Sequence, residues 1–184
     1  MGNRPLSVTV SDAGPLIHLA QISKLQLLKQ LFKRVLITSG VRREVVDKGI
    51  KLGYEDALLV KEAIGEGWII IQDITAKAAS TAKKLAEGEN VSTLDAEALL
   101  LAKEHEAKNF LVDDKILSSL AKMYGFNVWN TWTILLEALS KGFIELTDIE
   151  SAIDELGEQR HKLKAEQAAE ILKAAKHLAS RKRD

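Results

Sequence analysis

Short apolar runs alternate with longer segments of helical period along the first three quarters of the chain. Residues 6–10 alternate and are rich in β-branched side chains, which predicts a strand ending at Ser11-Asp12. Pro15 suits the first position of a helix, making Gly14 its cap and carrying the helix to about Ile22. A second helix is predicted over about 25–32, then a buried strand over 35–38. Ser39-Gly40 opens a helix that passes through Glu44 and ends near Gly49. The pattern continues with a helix over 54–64, a strand over 68–71 and a helix over 76–85 stopped by Gly88. A helix then opens at Ser92-Thr93 and runs to about Ala107. A strand over 109–112 is closed by Asp113-Asp114, and a helix over 116–124 ends at Gly125. A last short strand, 127–129, precedes a helix over 132–139. Such alternation predicts an α/β fold with a parallel sheet covered on both faces.

From Leu146 the pattern changes to two helices without a strand. This divides the chain into residues 1–144, the sheet-bearing domain, and 145–184, a helical extension. On its last helix Ala168, Ile171, Leu172, Ala175 and Leu178 share one stripe, which must cover either the core of the same chain or a second copy. The tail Arg181-Lys182-Arg183 is a small basic cluster.

Composition narrows the chemistry. The chain has 184 residues, 46% hydrophobic, enough for one core. It has no cysteine, so disulfides and thiolate metal sites are excluded. His18, His105, His161 and His177 lack zinc-site spacing. Any metal is therefore expected to be a hard cation held by carboxylates, Mg²⁺ or Mn²⁺. The first residues lack the apolar centre of a signal peptide and no run reaches membrane-spanning length, so a cytoplasmic location and no membrane contact are expected. Lys plus Arg equals Asp plus Glu at 26 each, so any nucleic-acid affinity must come from a local patch.

Four acids stand out. Asp95 opens a helix on which positions three, four and seven further on are Ala98, Leu99 and Ala102. It therefore belongs at the edge of the buried stripe, where a carboxylate needs backbone N–H groups, a basic side chain or a metal ion. With Ser92 it also makes a capping-box pattern, so it can serve the helix alone. Asp12 and Asp114 each follow a strand and precede a helix, where the crevice of a parallel α/β sheet forms. Each can also simply begin the helix after it. Glu44 borders the apolar stripe of its helix, with Arg42 and Arg43 as ready salt-bridge partners. Gathered together, four carboxylates would repel without a cation. With one or two Mg²⁺ or Mn²⁺ ions they suit in-line hydrolysis of a phosphodiester.

Four segments, in order and spacing, resemble the PIN domain family, and within it the prokaryotic VapC-like toxin branch. They are Val10-Ser11-Asp12-Ala13-Gly14-Pro15-Leu16-Ile17, then Ile37-Thr38 with Val41-Arg42-Arg43-Glu44-Val45, then Leu94-Asp95-Ala96-Glu97-Ala98-Leu99-Leu100-Leu101-Ala102, and Phe110-Leu111-Val112-Asp113-Asp114-Lys115. The resemblance spans about residues 6–140. It implies a three-layer fold with a five-stranded parallel sheet in the order 3-2-1-4-5. It also implies a Mg²⁺- or Mn²⁺-dependent ribonuclease, with the family's acids at Asp12, Glu44, Asp95 and Asp114. An RNA substrate, a small antitoxin protein and a homodimer follow as expected partners. Where the family often has Thr or Ser, two residues before the last acid, this chain has Val112. Glu97 and Asp113 are further candidate ligands. Arg42, Arg43, Lys83, Lys84 and Lys115 are candidate phosphate contacts, although such residues are more often plain solvated charges. Trp68, Trp129 and Trp132 could stack on bases, but their apolar settings favour core packing. Two alternatives remain: a DNA- or RNA-processing nuclease outside a toxin–antitoxin pair, and a non-catalytic binding protein on the same fold.

Overall fold

The computed structural model describes residues 7–158 and 163–181. Leu6, His161 and the tail residues Lys182 and Arg183 lie outside them. Five strands form one parallel sheet: β1 (Thr9–Ser11), β2 (Val35–Ile37), β3 (Ile69–Ile71), β4 (Asn109–Leu111) and β5 (Asn127–Trp129). Their order is β3-β2-β1-β4-β5, as the resemblance implied. In register, Thr9, Val10 and Ser11 lie beside Asn109, Phe110 and Leu111. The order reverses between β1 and β4, so the residues just past their carboxyl ends face the crevice of the fold.

Strand alternation sends side chains to two separate apolar layers. Val35, Ile37 and Leu111 join one, with helices α1 (Ala13–Gln21) and α2 (Gln26–Phe32). Leu36, Val10 and Phe110 join the other, with α7 (Thr93–Glu104) and α8 (Lys115–Met123). Trp68 is buried, and Trp129 and Trp132 pack against the first layer. The Trp129 ring meets Phe32 edge-on at 5.4 Å.

The remaining helices are α3 (Ser39–Arg42), α4 (Gly49–Lys51), α5 (Asp56–Gly65), α6 (Ala76–Glu89), α9 (Thr131–Lys141), α10 (Leu146–Glu158) and α11 (Ala165–Ser180). Between α3 and α4 lies a π-helical stretch, Arg43–Lys48. The helix predicted over 39–49 is thus one rod, unwound to a wider turn in its middle and extended to Lys51. Helix α6 runs past Gly88 and stops at Asn90, which takes the left-handed conformation at φ 54°. Helix α1 starts at Ala13 with Asp12 as its N-cap residue, so Pro15 sits third in the helix rather than first. Proline fits there because first-turn N–H groups have no partner within the helix.

The stripe on α11 is met by its own chain. Ala175 is fully buried, and Ile171, Leu172 and Leu178 pack on the same layer as Ile149, Ala152 and Leu156 of α10 and Leu135 of α9. Among the described residues no helix is long and apolar enough to cross a membrane.

Candidate functional site

Packing of the helix starts decides which acids meet. Helix α3 abuts α7 so closely that a Cβ on Gly40 would lie 2.5 Å from Leu94 Cδ2 and 3.6 Å from Glu97 Oε2. The π stretch packs on α1, and α7 packs on β1. Glu44, Asp95 and Asp12 therefore approach one another from three elements, although 83 residues separate the first of them in sequence from the last.

Asp12 is largely buried and makes no capping hydrogen bond to α1. Burial pushes its carboxyl up to about 7 from an ordinary 3.8. The N–H groups of Ala13 and Gly14 pull the other way, and the charges of Asp95 and then Glu44 push it up again. No cation enters this balance. Asp95 is half-buried and closes the anticipated capping box: its Oδ2 accepts from Ser92 N–H at 3.1 Å, and its own N–H donates to Ser92 Oγ at 3.1 Å. Its Oδ1 has no hydrogen-bond partner among the described residues. Glu44 is exposed on the π stretch, a helix form that recurs at functional sites. Among the described residues no ion pair uses it; Arg42 pairs with Asp47 at 3.0 Å instead. Glu97 is half-buried beside the start of α3.

Asp114 is not among the charges that act on Asp12. It is exposed and caps α8, Oδ1 accepting from Leu117 N–H at 2.8 Å, while Oδ2 has no partner among the described residues. Its neighbour Asp113 is fully engaged. Oδ1 accepts from Thr131 N–H at 2.8 Å; Oδ2 accepts from Thr131 Oγ1 at 2.7 Å and lies 2.7 Å from His18 Nδ1. Burial raises this carboxyl, but His18 and Thr131 outweigh it and hold the group below its ordinary value. Asp113 thereby clamps α1, the turn after β4 and the start of α9 to one another. Gly14 makes this possible, since a Cβ there would press on Asp113 at 3.3 Å. The sequence marked Asp113 only as a candidate ligand and gave His18 and Thr131 no role; neither residue has a local signal. Asp73, past the end of β3, was also missed. It accepts from Ser39 N–H at 2.9 Å and Ser39 Oγ at 2.7 Å, which holds it below its ordinary value and fixes the start of α3.

Lys83, Lys84, Lys115 and Arg43 are exposed, and Arg43 lies within electrostatic reach of Asp73. The donor set around Asp12 is all oxygen, which suits a hard divalent ion in its chemistry. Among the described residues no three acidic or histidine side chains yet stand close enough to share one, so binding requires the carboxylates to draw in.

Comparison with known proteins follows the same lines. No curated protein matches the chain. Its fold is similar to the crystal structure of PAE2754 from Pyrobaculum aerophilum, with a TM-score of 0.51 and 15% sequence identity, covering 72% of this chain and 96% of that one. At that identity the likeness speaks for the fold alone. A family model described as a PIN domain matches residues 8–177, which includes α10 and most of α11. The chain belongs to the PIN domain family.

Proposed function

We propose that the chain is a divalent-metal-dependent endoribonuclease, acting in the cytoplasm as the toxin of a toxin–antitoxin pair of the VapC-like branch. PIN domains are generally nucleases, which sets the reaction class. The observation that carries the reading is Asp12: a largely buried carboxyl lifted to about 7 beside two further acids, with no basic partner among the described residues. Such an arrangement is costly in the metal-free protein and is relieved by a cation. Asp12 and Asp95 form the inner part of the Mg²⁺ or Mn²⁺ site, Glu44 its exposed rim, and the free Oδ2 of Asp114 a further donor. When bound, the ion supplies a Lewis acid for the charge that develops on the phosphodiester. The residues of the chain would hold it, and the Asp113 clamp fixes the start of α1, so that Asp12 stays in place while the other carboxylates draw in. Lys115, Arg43, Lys83 and Lys84 are the candidate contacts to the RNA backbone. A homodimer and a small antitoxin protein complete the reading.

Cleavage of single-stranded RNA in Mg²⁺ or Mn²⁺, with DNA of the same sequence alongside, tests it. Activity lost in EDTA, and lost in Asp12→Asn and Asp95→Asn, is the expected result. Equal cleavage by these variants removes the assigned residues. Preference for DNA moves the chain to a processing role, and failure to bind millimolar Mn²⁺ in calorimetry makes it a non-catalytic PIN protein. Growth arrest on expression, relieved by a small protein encoded beside the gene, tests the toxin role.

A further inference from the structure

Glu44 also walls a second concavity. It encloses about 150 Å³ between α1, the π stretch and the turn leading into α5. Ile17 and Val45 line its apolar part. Leu52 adds to that apolar part, and Gln21, Lys48, Tyr54 and Asp56 join Glu44 as the polar lining.

Three features distinguish it from a packing gap. Gln21 Oε1 is shielded from water and has no hydrogen-bond partner; it is the one buried side-chain atom among the described residues left so. Buried acceptors are normally paired. The Gln21 side chain as a whole is only partly buried, and the torsion of its terminal amide is soft, so a small turn presents the oxygen to the groove. Tyr54 lines the groove and is 57% exposed, which leaves its ring open to contact. Lys48 is exposed and takes part in no ion pair among the described residues.

We propose that this groove is a subsite for one nucleobase of the RNA strand, held beside the phosphodiester that the acid cluster cleaves. The proposal rests on the nuclease reading above. Tyr54 stacks on the base, Gln21 and Asp56 accept from N–H groups on its edge, and Lys48 meets an adjoining phosphate. Unstacked bases of single-stranded RNA are read in this way, by aromatic faces and by their Watson–Crick edges. A wall rich in acceptors favours guanine, whose N1–H and N2–H₂ donors lie side by side. It disfavours uracil, whose single N–H is flanked by carbonyls that would face the Gln21 oxygen and the Asp56 carboxylate. A protein partner would be drawn to Leu52 in the groove wall and to the exposed Leu58, but would leave the oxygen of Gln21 unused.

The test uses full-length Asp12→Asn protein and labelled ten-residue oligouridylates carrying guanine, inosine, adenine or uracil at one central position. Binding is read by fluorescence anisotropy without added metal. The guanine oligomer is expected to bind tightest and inosine, which lacks the N2 amine, to lose most of that preference. Adding Gln21→Leu should level guanine with uracil. Adding Tyr54→Ala should weaken every oligomer by about 5- to 150-fold, the loss of one base–aromatic stack, and Tyr54→Phe should restore it. Indifference to the central base overturns the subsite. So does a dimer that Tyr54→Ala splits, seen by light scattering, while RNA affinity stays constant; the groove then belongs to a second copy. Cleavage by the unsubstituted chain is followed in parallel. Cleavage without base preference overturns the subsite and leaves the nuclease standing, whereas neither binding nor cleavage removes both.

Discussion

Asp12 and Asp113 lie past the carboxyl ends of neighbouring strands, and both are largely buried, yet they are held in opposite ways. Desolvation is the largest influence on each. Asp113 meets three donors from His18 and Thr131 and ends below its ordinary value. Asp12 meets only the N–H groups at the start of α1, together with two negative neighbours, and ends near 7. Depth sets the cost of a buried carboxylate; the donors around it decide whether the cost is met. Among the described residues one of these acids is satisfied by hydrogen bonds, while the other is left without a positive partner.

Replacing Asp12 breaks the comparison most severely. Outer groups that merely orient metal ligands cost about 10- to 100-fold when removed, so Asp12→Asn should lower cleavage by more than about 100-fold. Stability should move the other way. The folded value of about 7 lies above the ordinary 3.8, so the folded state holds its proton longer than the unfolded one. The contribution is whole below 3.8 and is lost as pH rises through 7. Asp12→Asn, uncharged at every pH, should therefore be the more stable protein at pH 8 by up to about 4 kcal/mol, a gap that closes towards pH 3. Denaturant unfolding of the two proteins at both pH values measures it; an Asn variant less stable at pH 8 would mean that Asp12 is already compensated.

The opposite outcome is expected at Asp113. Asp113→Ala removes the acceptor that Thr131 N–H, Thr131 Oγ1 and His18 Nδ1 share, a loss of about 2–4 kcal/mol. Asp113→Asn keeps the shape and one acceptor, and should lose less. In this case the carboxyl is held below its ordinary 3.8, so its contribution is present above that value and fades as pH falls through the folded one. The parent should thus lose its advantage over Asp113→Asn on acidification, whereas it should gain on Asp12→Asn. Urea titrations at pH 7 and pH 3 separate the two signs.

A divalent ion sharpens the contrast further. At 100 times its Kd, Mn²⁺ should stabilise the parent by about 2.7 kcal/mol. The gain should be smaller at pH 5.5 than at pH 8, because below 7 the ion must displace the proton of Asp12. It should vanish in Asp12→Asn and survive in Asp113→Asn, since the carboxylate of Asp113 is committed to the clamp. Melting curves with and without EDTA read this out.

Much of this was legible in the chain. Period-two runs such as Val35-Leu36-Ile37 split between two layers as alternation requires, and the Ser92–Asp95 pair announced its capping box. The contrast between Asp113 and Asp114 was not legible. Adjacent and chemically identical, they are separated only by the direction each side chain takes past the end of β4. One turns towards Thr131, 18 residues on, and the other folds back on its own helix. Non-local partners decide that, and a linear pattern carries no trace of them. The π stretch that carries Glu44 was hidden too: Arg43–Lys48 has an ordinary helical composition, and nothing in it marks the wider winding it adopts where it packs on α1 and α5. Asp12 as the residue that starts α1 was masked by Pro15, whose preference for the first helical position was overridden by two extra residues of helix.

The smallest expected effect concerns the rim. Lys115 is exposed at the first position of α8, one residue after Asp114, and touches neither of the contrasted acids. Lys115→Ala should leave folding stability within about 0.5 kcal/mol of the parent, as surface substitutions away from specific partners do. If its ammonium meets an RNA phosphate, one fewer counterion is released on binding. The slope of log K against log salt should then fall by about 0.7 for a single strand. Affinity of Asp12→Asn protein for an oligonucleotide, measured from 50 to 200 mM salt with and without Lys115→Ala, gives the two slopes. An unchanged slope would assign Lys115 to the solvent and shift the backbone path towards Arg43 or Lys48, on the Glu44 side of the cluster.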